Sequence, residues 1–323
     1  MIRRNRILRQ SESVRNLVQE TTLQPSDFII PVFITEGEKI KEEISSMPGY
    51  YRFSLDQAVE ELKSCFDLGL RCALLFVKVP DELKDNTGNE ALNDNGLMQR
   101  SVRAIKKELP EMVLMTDVAL DPYSSYGHDG IVDNQQIVND KTVEVLARMS
   151  VSHARAGADF VAPSDMMDGR IGAIRNALEE GGYHNTGIMS YAAKYASCFY
   201  GPFRDALDSS PGFGDKKTYQ MNPANRLEAI KEVKMDVDEG ADIIMIKPAH
   251  AYLDIIREVK NVITLPVSAY HVSGEYSMIK AAAKAGYLNE DQAIIEVLTG
   301  IKRAGADLIA TYFAKRAAEL LQK

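Results

Sequence analysis

The chain has 323 residues, of which 45% are hydrophobic and 26% charged, a globular composition that excludes collagen-like, coiled-coil and largely disordered architectures. Its 38 basic and 46 acidic residues give a net charge of −8, which argues against a general nucleic-acid-binding protein. The longest apolar runs, such as residues 72–77, are far shorter than the roughly 20 residues that a membrane span needs. Three cysteines without CxxC spacing and an N-terminus without a secretory apolar stretch predict a cytoplasmic protein.

Eight short apolar runs recur along the chain, separated by segments with helical periodicity. Nearly continuous apolar runs of this kind are typical of strands that are covered on both faces of a parallel sheet. The predicted strands are residues 28–34, 72–79, 112–120, 159–164, 186–194, 242–249, 265–273 and 307–314. Helices are predicted over residues 54–70, 225–240 and 288–305, the first beginning with Ser54 as its N-cap and ending near Gly69.

One helix-to-strand junction occurs three times, as RAGADF (155–160), EGADII (239–244) and RAGADLI (303–309). Its glycine is suited to the left-handed conformation that ends a helix. Together with the eight strands, the repeat predicts an α/β fold with a single (β/α)8 TIM barrel over residues 27–323. The alternative, a doubly wound open sheet, would need a glycine-rich phosphate turn after the first strand, and the sequence has none there.

The chain is about 70 residues longer than a typical barrel of about 250. We assign the excess to an N-terminal arm (residues 1–26) and to two loops, lid 1 (121–140) and lid 2 (195–224). Both loops follow the carboxyl ends of strands, where barrel enzymes build their active sites, so they are predicted to be mobile lids. Disordered insertions are the alternative, which the aromatic residues of both loops make less attractive.

Two lysines end neighbouring strands, Lys194 on strand five and Lys247 on strand six. An apolar site and a second nearby cation both favour the neutral amine, which can attack a ketone or aldehyde to form a Schiff base. A rim ion pair explains either lysine alone equally well. Two lysines at adjacent strand ends favour the catalytic interpretation.

Further polar residues cluster at the same face. The strand ends carry Asp117, Ser164, Asp165, Tyr270, His271, Ser273 and Tyr312, and lid 2 adds the cations Arg204, Lys216 and Lys217. Each could be an isolated rim contact, but together they predict a polar ring with cations suited to a carboxylate substrate. Asp117, Asp121 and Asp129 form either a site for a hard cation such as Mg²⁺ or a metal-free turn, and the residues leave both possibilities open.

Six long segments are more specific: MSYAAKYAS, MIKPAHAYLD, VAPSDMMDGR, YGPFRDA, YHVSGEY and DVALDPYSSYGHDG. They resemble the porphobilinogen synthase family, also called 5-aminolevulinate dehydratase, and the resemblance covers essentially the whole chain. It implies a lyase that joins two 5-aminolevulinate molecules into porphobilinogen with loss of two waters, in tetrapyrrole, porphyrin and heme biosynthesis. It also implies a homo-octamer in which the arm embraces a neighbouring subunit.

The resemblance also assigns roles to individual residues. The family binds its two substrate molecules at two sites, called the P-side and the A-side. Lys247 matches the Schiff-base lysine of the P-side and Lys194 that of the A-side. The other matches are Ser273 and Tyr312 with Tyr270 nearby for the P-side carboxylate, Arg204, Lys216 and Gln220 for the A-side carboxylate, Asp117 and Ser164 around the P-side amine, and Tyr200 on the lid.

The metal that we expect follows from a difference in sequence between this chain and the zinc-using members of the family. Zinc-using members carry three cysteines where this chain has Ala119, Asp121 and Asp129, so no thiolate zinc site is expected. The sequence is similar to the magnesium-responsive, allosteric branch. There the matching ligand of a distal Mg²⁺ is Glu232, with Asp168 in contact through bound water.

Two other classes of function compete with this one. A class I aldolase would also use a barrel and a Schiff base, but it needs only one lysine, so Lys194 argues against it. A non-catalytic barrel scaffold has no reason to keep both lysines and the lid cations. The arginines of the arm could suggest nucleic acid or an anionic membrane, but an acidic second copy of the chain is the simpler partner.

Overall fold

The computed structural model describes residues 2–209 and 211–322. Its centre is a closed barrel of eight parallel strands, each paired with its sequence neighbours, with the last strand pairing back to the first. The strands are β1 (Phe28–Thr35), β2 (Cys72–Lys78), β3 (Val113–Val118), β4 (Phe160–Pro163), β5 (Gly187–Lys194), β6 (Ile243–Lys247), β7 (Val267–His271) and β8 (Leu308–Thr311). The predicted (β/α)8 barrel is therefore confirmed, with all eight strands close to their predicted bounds.

The extent of strand pairing varies around the barrel. β1 pairs with β2 over seven positions, from Ile29 opposite Cys72 to Thr35 opposite Lys78. It pairs with β8 only at its first two residues. Beyond them, a hairpin of two short strands, Lys41–Glu43 and Tyr51–Ser54, extends the sheet along β1.

Helices cover the outside of the barrel, and those that pack against the strands do so with an apolar stripe. In α2, for example, the buried residues Ala58, Val59, Leu62 and Cys65 lie on one face. The helices of the described ranges are α1 (Glu12–Leu17), α2 (Leu55–Asp67), α3 (Leu97–Glu108), α4 (Asn139–Ala156), α5 (Arg170–Glu180), α6 (Gly201–Leu207), α7 (Leu227–Asp238), α8 (Leu253–Val262), α9 (Ser273–Lys284), α10 (Glu290–Ala304) and α11 (Ala314–Leu321). In these ranges every helix is too short or too polar to cross a membrane.

The repeated junction has the predicted backbone conformation. Gly157, Gly240 and Gly305 have φ angles of 109°, 103° and 124°, in the region that a side chain disfavours. Ser54 occupies the N-cap position of α2, as predicted, although its side chain makes no capping bond. Its hydroxyl instead accepts from the N–H of Ile40 and donates to a nearby carboxylate, which ties the hairpin to the helix.

The predicted arm and lids contain short elements of their own. Residues 5–17 of the arm form a 3₁₀ turn followed by α1, with no buried residue in either. Lid 1 carries a two-strand hairpin, Val132–Asp133 with Gln136–Ile137. Lid 2 carries α6, and an isolated bridge between Tyr195 and Met221 brings its two ends together.

Candidate active site

Lys194 and Lys247 lie directly opposite each other at the ends of β5 and β6, where they form a register pair. Both are buried, with 6% and 4% of their surface exposed. The closed sequence of parallel strands brings these two ends to the face where barrel enzymes hold their reacting groups. The two amines thus belong to one buried pocket.

An aromatic cage surrounds the Lys247 amine. Its Nζ lies 4.6–5.2 Å from the ring centroids of Tyr191, Tyr200, Phe203 and Tyr270. Burial, followed by the positive charge of Lys194, lowers the pKa of Lys247 to about 7, because both make the ammonium form less favourable. A large fraction of this lysine is therefore a free amine at neutral pH.

Lys194 lies in a different environment because it is paired with a carboxylate. Its Nζ donates to Asp129, 3.1 Å away, and to the carbonyl of Ser164. The other oxygen of Asp129 accepts from Lys216 at 2.5 Å, and Lys216 also lies 3.5 Å from Asp121. Burial would raise the pKa of Asp129, but the two lysines outweigh it and hold this pKa at about 2.

Asp117 on β3 is a buried carboxyl group with a pKa close to neutral pH. Burial, and then the charge of Asp121, raises its pKa to about 7, against a hydrogen bond from Ser164. In the described part of the chain, one of its oxygens has no hydrogen-bond partner. A buried carboxyl group that titrates near pH 7 can accept and return a proton.

The predicted P-side carboxylate residues also meet. The hydroxyls of Tyr270 and Tyr312 lie 3.0 Å apart, and the Ser273 hydroxyl accepts from the N–H of Phe203 in lid 2 at 3.0 Å. Serine and tyrosine hydroxyls can turn to donate to a carboxylate. The hydrogen bond from Phe203 thus connects lid 2 to Ser273, one of the groups predicted to bind substrate.

Lid 2 holds the three predicted A-side residues. Lys216 and Gln220 are buried and Arg204 is half-buried. In the described ranges, the side-chain oxygen of Gln220 has no hydrogen-bond partner. Lys217, by contrast, points to solvent and pairs with Asp215, so it stands apart from the pocket.

Two members of the predicted polar ring face other partners. Asp165 lies 3.8 Å from the guanidinium of Arg170, which itself binds Asp236 in a buried ion pair. His271 contacts Thr311 at 3.2 Å, and burial lowers its pKa to about 3. Successive residues of a strand point to opposite sides, which explains why His271 is separated from its neighbour Tyr270.

Sequence reasoning missed Tyr191 and Phe203 as members of the cage and Arg170 with Asp236 as a buried pair. The apolar setting of Lys194 and the aromatic content of lid 2 were weak signals for the cage. The sequence carries no local signal for the Arg170–Asp236 pair, which joins positions on two separate helices.

Glu232 and Asp168 both line a surface cleft of about 1020 Å³. Burial, followed by the charge of Asp236, raises the pKa of the half-buried Glu232, and Asp168 adds to the effect. A cation would relieve this crowding of carboxylates. No cluster of three or more potential ligand residues occurs in the described ranges, and Mg²⁺ in proteins is usually held by only one or two carboxylates and keeps several waters.

The fold is that of the TIM-barrel enzymes, and its adjacent strand ends carry two buried lysines, one with a pKa lowered to about 7. The family model described as Delta-aminolevulinic acid dehydratase matches residues 2–320. The chain belongs to this family, and the predicted function as a lyase of the porphobilinogen synthase type is confirmed.

Relatives from distant organisms support the assignment. The chain is 56% identical over 321 residues to the chloroplastic Delta-aminolevulinic acid dehydratase of Physcomitrium patens, covering 99% of this chain and 73% of the relative. It is 55% identical to the Methanothermus sociabilis enzyme of that name, covering 98% of each. The solved structure of the Toxoplasma gondii ME49 enzyme, in complex with its product porphobilinogen, has a TM-score of 0.97, 49% identity, and coverage of 99% of this chain and 91% of that one.

Proposed function

We propose that this chain condenses two molecules of 5-aminolevulinate into porphobilinogen through Schiff bases on Lys247 and Lys194. The observation that carries the proposal is the register pair of these two lysines in one buried pocket. Each substrate offers a ketone for a lysine and a carboxylate for a clamp. Holding both in one pocket replaces a bimolecular encounter with an oriented one.

Lys247 begins the reaction on the P-side substrate. Its neutral amine attacks the ketone carbon, and loss of water leaves an imine. The surrounding rings exclude solvent, and their faces stabilise the positive charge of the protonated imine. The protonated imine also acidifies the neighbouring carbon. Each of the two ketone oxygens leaves as water, and both lysines return to free amines when the product is released.

Two clamps orient the substrates by their carboxylates. Ser273 and Tyr312, with Tyr270 beside them, serve the P-side substrate, whereas Arg204, Lys216 and Gln220 of lid 2 serve the A-side substrate. The charge-assisted contacts of the A-side clamp favour an anion. A substrate carboxylate at Lys216 would share its ammonium group with Asp129, which also pairs with Lys194.

Asp117 and Ser164 act on the P-side amine. With a pKa of about 7, Asp117 exists in both forms at neutral pH and can take a proton from the amine or return one to a departing oxygen. The Ser164 hydroxyl lowers the pKa of Asp117 and so favours its charged form, against the effect of burial.

We further propose that the enzyme is cytoplasmic, responds to Mg²⁺ and assembles as an octamer through the arm of residues 1–26. Glu232 would hold the ion, with Asp168 in contact through water. Bound Mg²⁺ would supply positive charge among the carboxylates of the cleft, outside the reaction itself. An arm without buried residues in its helical turns supports a role in contacts with a second copy.

Incubation of the purified enzyme with 5-aminolevulinate, followed by a colour test for the pyrrole, tests the proposed reaction. We expect porphobilinogen from the wild type and none from Lys247→Ala or Lys247→Arg, since arginine keeps a charge but is no nucleophile at neutral pH. Failure to form pyrrole both with and without Mg²⁺ would contradict the proposal. Turnover by Lys247→Ala would refute the assigned role of that lysine.

A further inference from the structure

Glu275 is a buried carboxylate at the start of α9 that has no part in the mechanism above, with only 1% of its surface exposed. One oxygen accepts from the backbone N–H of Ala251 at 3.0 Å. The other accepts from Val272 at 2.9 Å and, at a longer 3.4 Å, from Ala249. A single side chain thus joins two separate turns of the backbone.

Both turns carry groups that bind the same substrate. The turn at residues 249–251 follows directly after Lys247, which forms the imine with the P-side ketone. The turn at Val272 leads directly into Ser273, which contacts the P-side carboxylate. The two ends of one substrate are therefore held by backbone segments that share Glu275 as their common anchor.

We propose that Glu275 is a positioning residue that fixes the span between Lys247 and Ser273 and so selects the length of the keto acid that the P-side accepts. This inference rests on the proposed function. A span held by backbone hydrogen bonds to one rigid group leaves little freedom to adapt to a longer substrate, because positions off by about 1 Å already lower catalysis strongly.

A simpler role as a helix cap accounts for only part of the contacts. A glutamate at the third position of a helix commonly accepts from the residue that precedes the helix, which explains the bond from Val272. It does not explain the bonds from Ala249 and Ala251, which lie 26 and 24 residues away along the chain. These cross-turn bonds carry the inference.

Backbone N–H groups stabilise the charged form of Glu275. Burial raises its pKa to about 7, while the backbone donors of the two turns oppose the rise. The oxygen that accepts from Val272 also accepts from Ala249, whereas the bond from Ala251 uses the other oxygen. A glutamine has one acceptor oxygen and an NH2 group that cannot accept. The variant Glu275→Gln therefore keeps the size of the side chain but loses at least one of these bonds, because its NH2 group faces a backbone N–H.

Borohydride trapping at Lys247 measures how well keto acids of different length bind at the P-side. Lys247 and a ketone form an imine with loss of water, and hydride from borohydride reduces the imine to a stable amine that peptide mass spectrometry quantifies. The probes are 4-oxopentanoate, which has the substrate's ketone-to-carboxylate spacing, 5-oxohexanoate, which is one methylene longer, and butanone, which has no carboxylate.

For the wild type we expect trapping of 4-oxopentanoate at much lower concentration than of 5-oxohexanoate. In Glu275→Gln, the concentration of 4-oxopentanoate for half-trapping should rise roughly tenfold, as expected for a lost hydrogen bond to a charged group. The preference over 5-oxohexanoate should shrink, whereas butanone should be trapped as in the wild type.

Asp242→Asn serves as the control, because Asp242 makes the same kind of carboxylate-to-backbone bond, to Ile188 at 2.7 Å, at the opposite end of the barrel. It should lower the melting temperature without changing the length preference. The inference is overturned if Glu275→Gln keeps the wild-type preference, or if it weakens all three probes by the same factor. A wild type that traps no 4-oxopentanoate at Lys247 would instead refute the proposed function.

Discussion

Lys194 of β5 and Asp129 of lid 1 form a buried ion pair with 3.1 Å between Nζ and Oδ2. The other oxygen of Asp129 binds Lys216 of lid 2. One carboxylate therefore bridges the two lysines that we propose serve the A-side substrate. If a substrate carboxylate binds Lys216, we expect the balance of charge around Lys194 to change as well.

Asp129→Asn tests this link. We expect kcat to fall at least tenfold, because both lysines lose their shared counter-ion. Breaking a buried ion pair by removing one partner costs about 3–5 kcal/mol, so thermal unfolding should also occur at lower temperature. Asp121→Asn is the matched control, since in the described ranges Asp121 forms an ion pair with Lys216, at 3.5 Å, and none with Lys194. Equal losses in the two variants would show that the bridge has no special role.

The pH dependence of Lys247 follows from its surroundings. Because only the free amine attacks a ketone, trapping of 4-oxopentanoate at Lys247 should increase with pH around a midpoint of about 7. Lys194→Gln removes the positive charge that helps to lower this pKa, so its midpoint should move to higher pH. Burial, the larger cause, remains, and the midpoint should stay below the usual 10.5 of lysine.

Lys217→Gln is the control for that experiment, because Lys217 is an exposed lysine of lid 2. Its midpoint should match the wild type. A midpoint that is unchanged in Lys194→Gln, or moves to lower pH, would contradict the electrostatic coupling of the two lysines.

The contact between lid 2 and α9 predicts a specific effect at Gly274. A Cβ atom added there would lie 2.6 Å from the carbonyl oxygen of Phe199, so Gly274→Ala must displace the base of the lid. We expect a several-fold higher KM for 5-aminolevulinate and faster proteolysis within lid 2. Gly201→Ala, in the same lid with open space around its added Cβ, should behave like the wild type in both assays.

The sequence predicted the framework of this molecule well, for physical reasons that are local. Continuous apolar runs determined the eight strands, and the glycines of the three repeated junctions required a left-handed backbone. Adjacent strands in such a barrel are neighbours in sequence, so the meeting of Lys194 and Lys247 followed from strand order alone.

The contacts made by the lids were beyond that reasoning. The pairing of Lys216 with Asp129 spans 87 residues and depends on how two irregular loops fold over the barrel. Phe203 in the cage of Lys247 depends on the placement of α6 in the same way. Periodicity carries no information about such contacts, which is why Lys216 was predicted only as a substrate ligand.

Magnesium dependence provides a test away from the reacting groups. If Glu232 is the ligand, Mg²⁺ should shift the wild type towards the larger oligomer in sedimentation velocity, and Glu232→Gln should show no shift. Glu228→Gln, one turn earlier on α7 and beside the same cleft, is the matched control and should respond like the wild type. A full Mg²⁺ response in Glu232→Gln would exclude it as the ligand.

The most direct test of the central claim is to trap the enzyme with 5-aminolevulinate itself. Borohydride added during turnover reduces any imine to a stable amine, and peptide mapping by mass spectrometry then identifies the modified lysines. We predict substrate-derived mass on Lys247, with Lys194 as the second labelled site. Label on other lysines only, or enzyme that forms porphobilinogen but is never trapped at Lys247, would contradict the two-lysine mechanism.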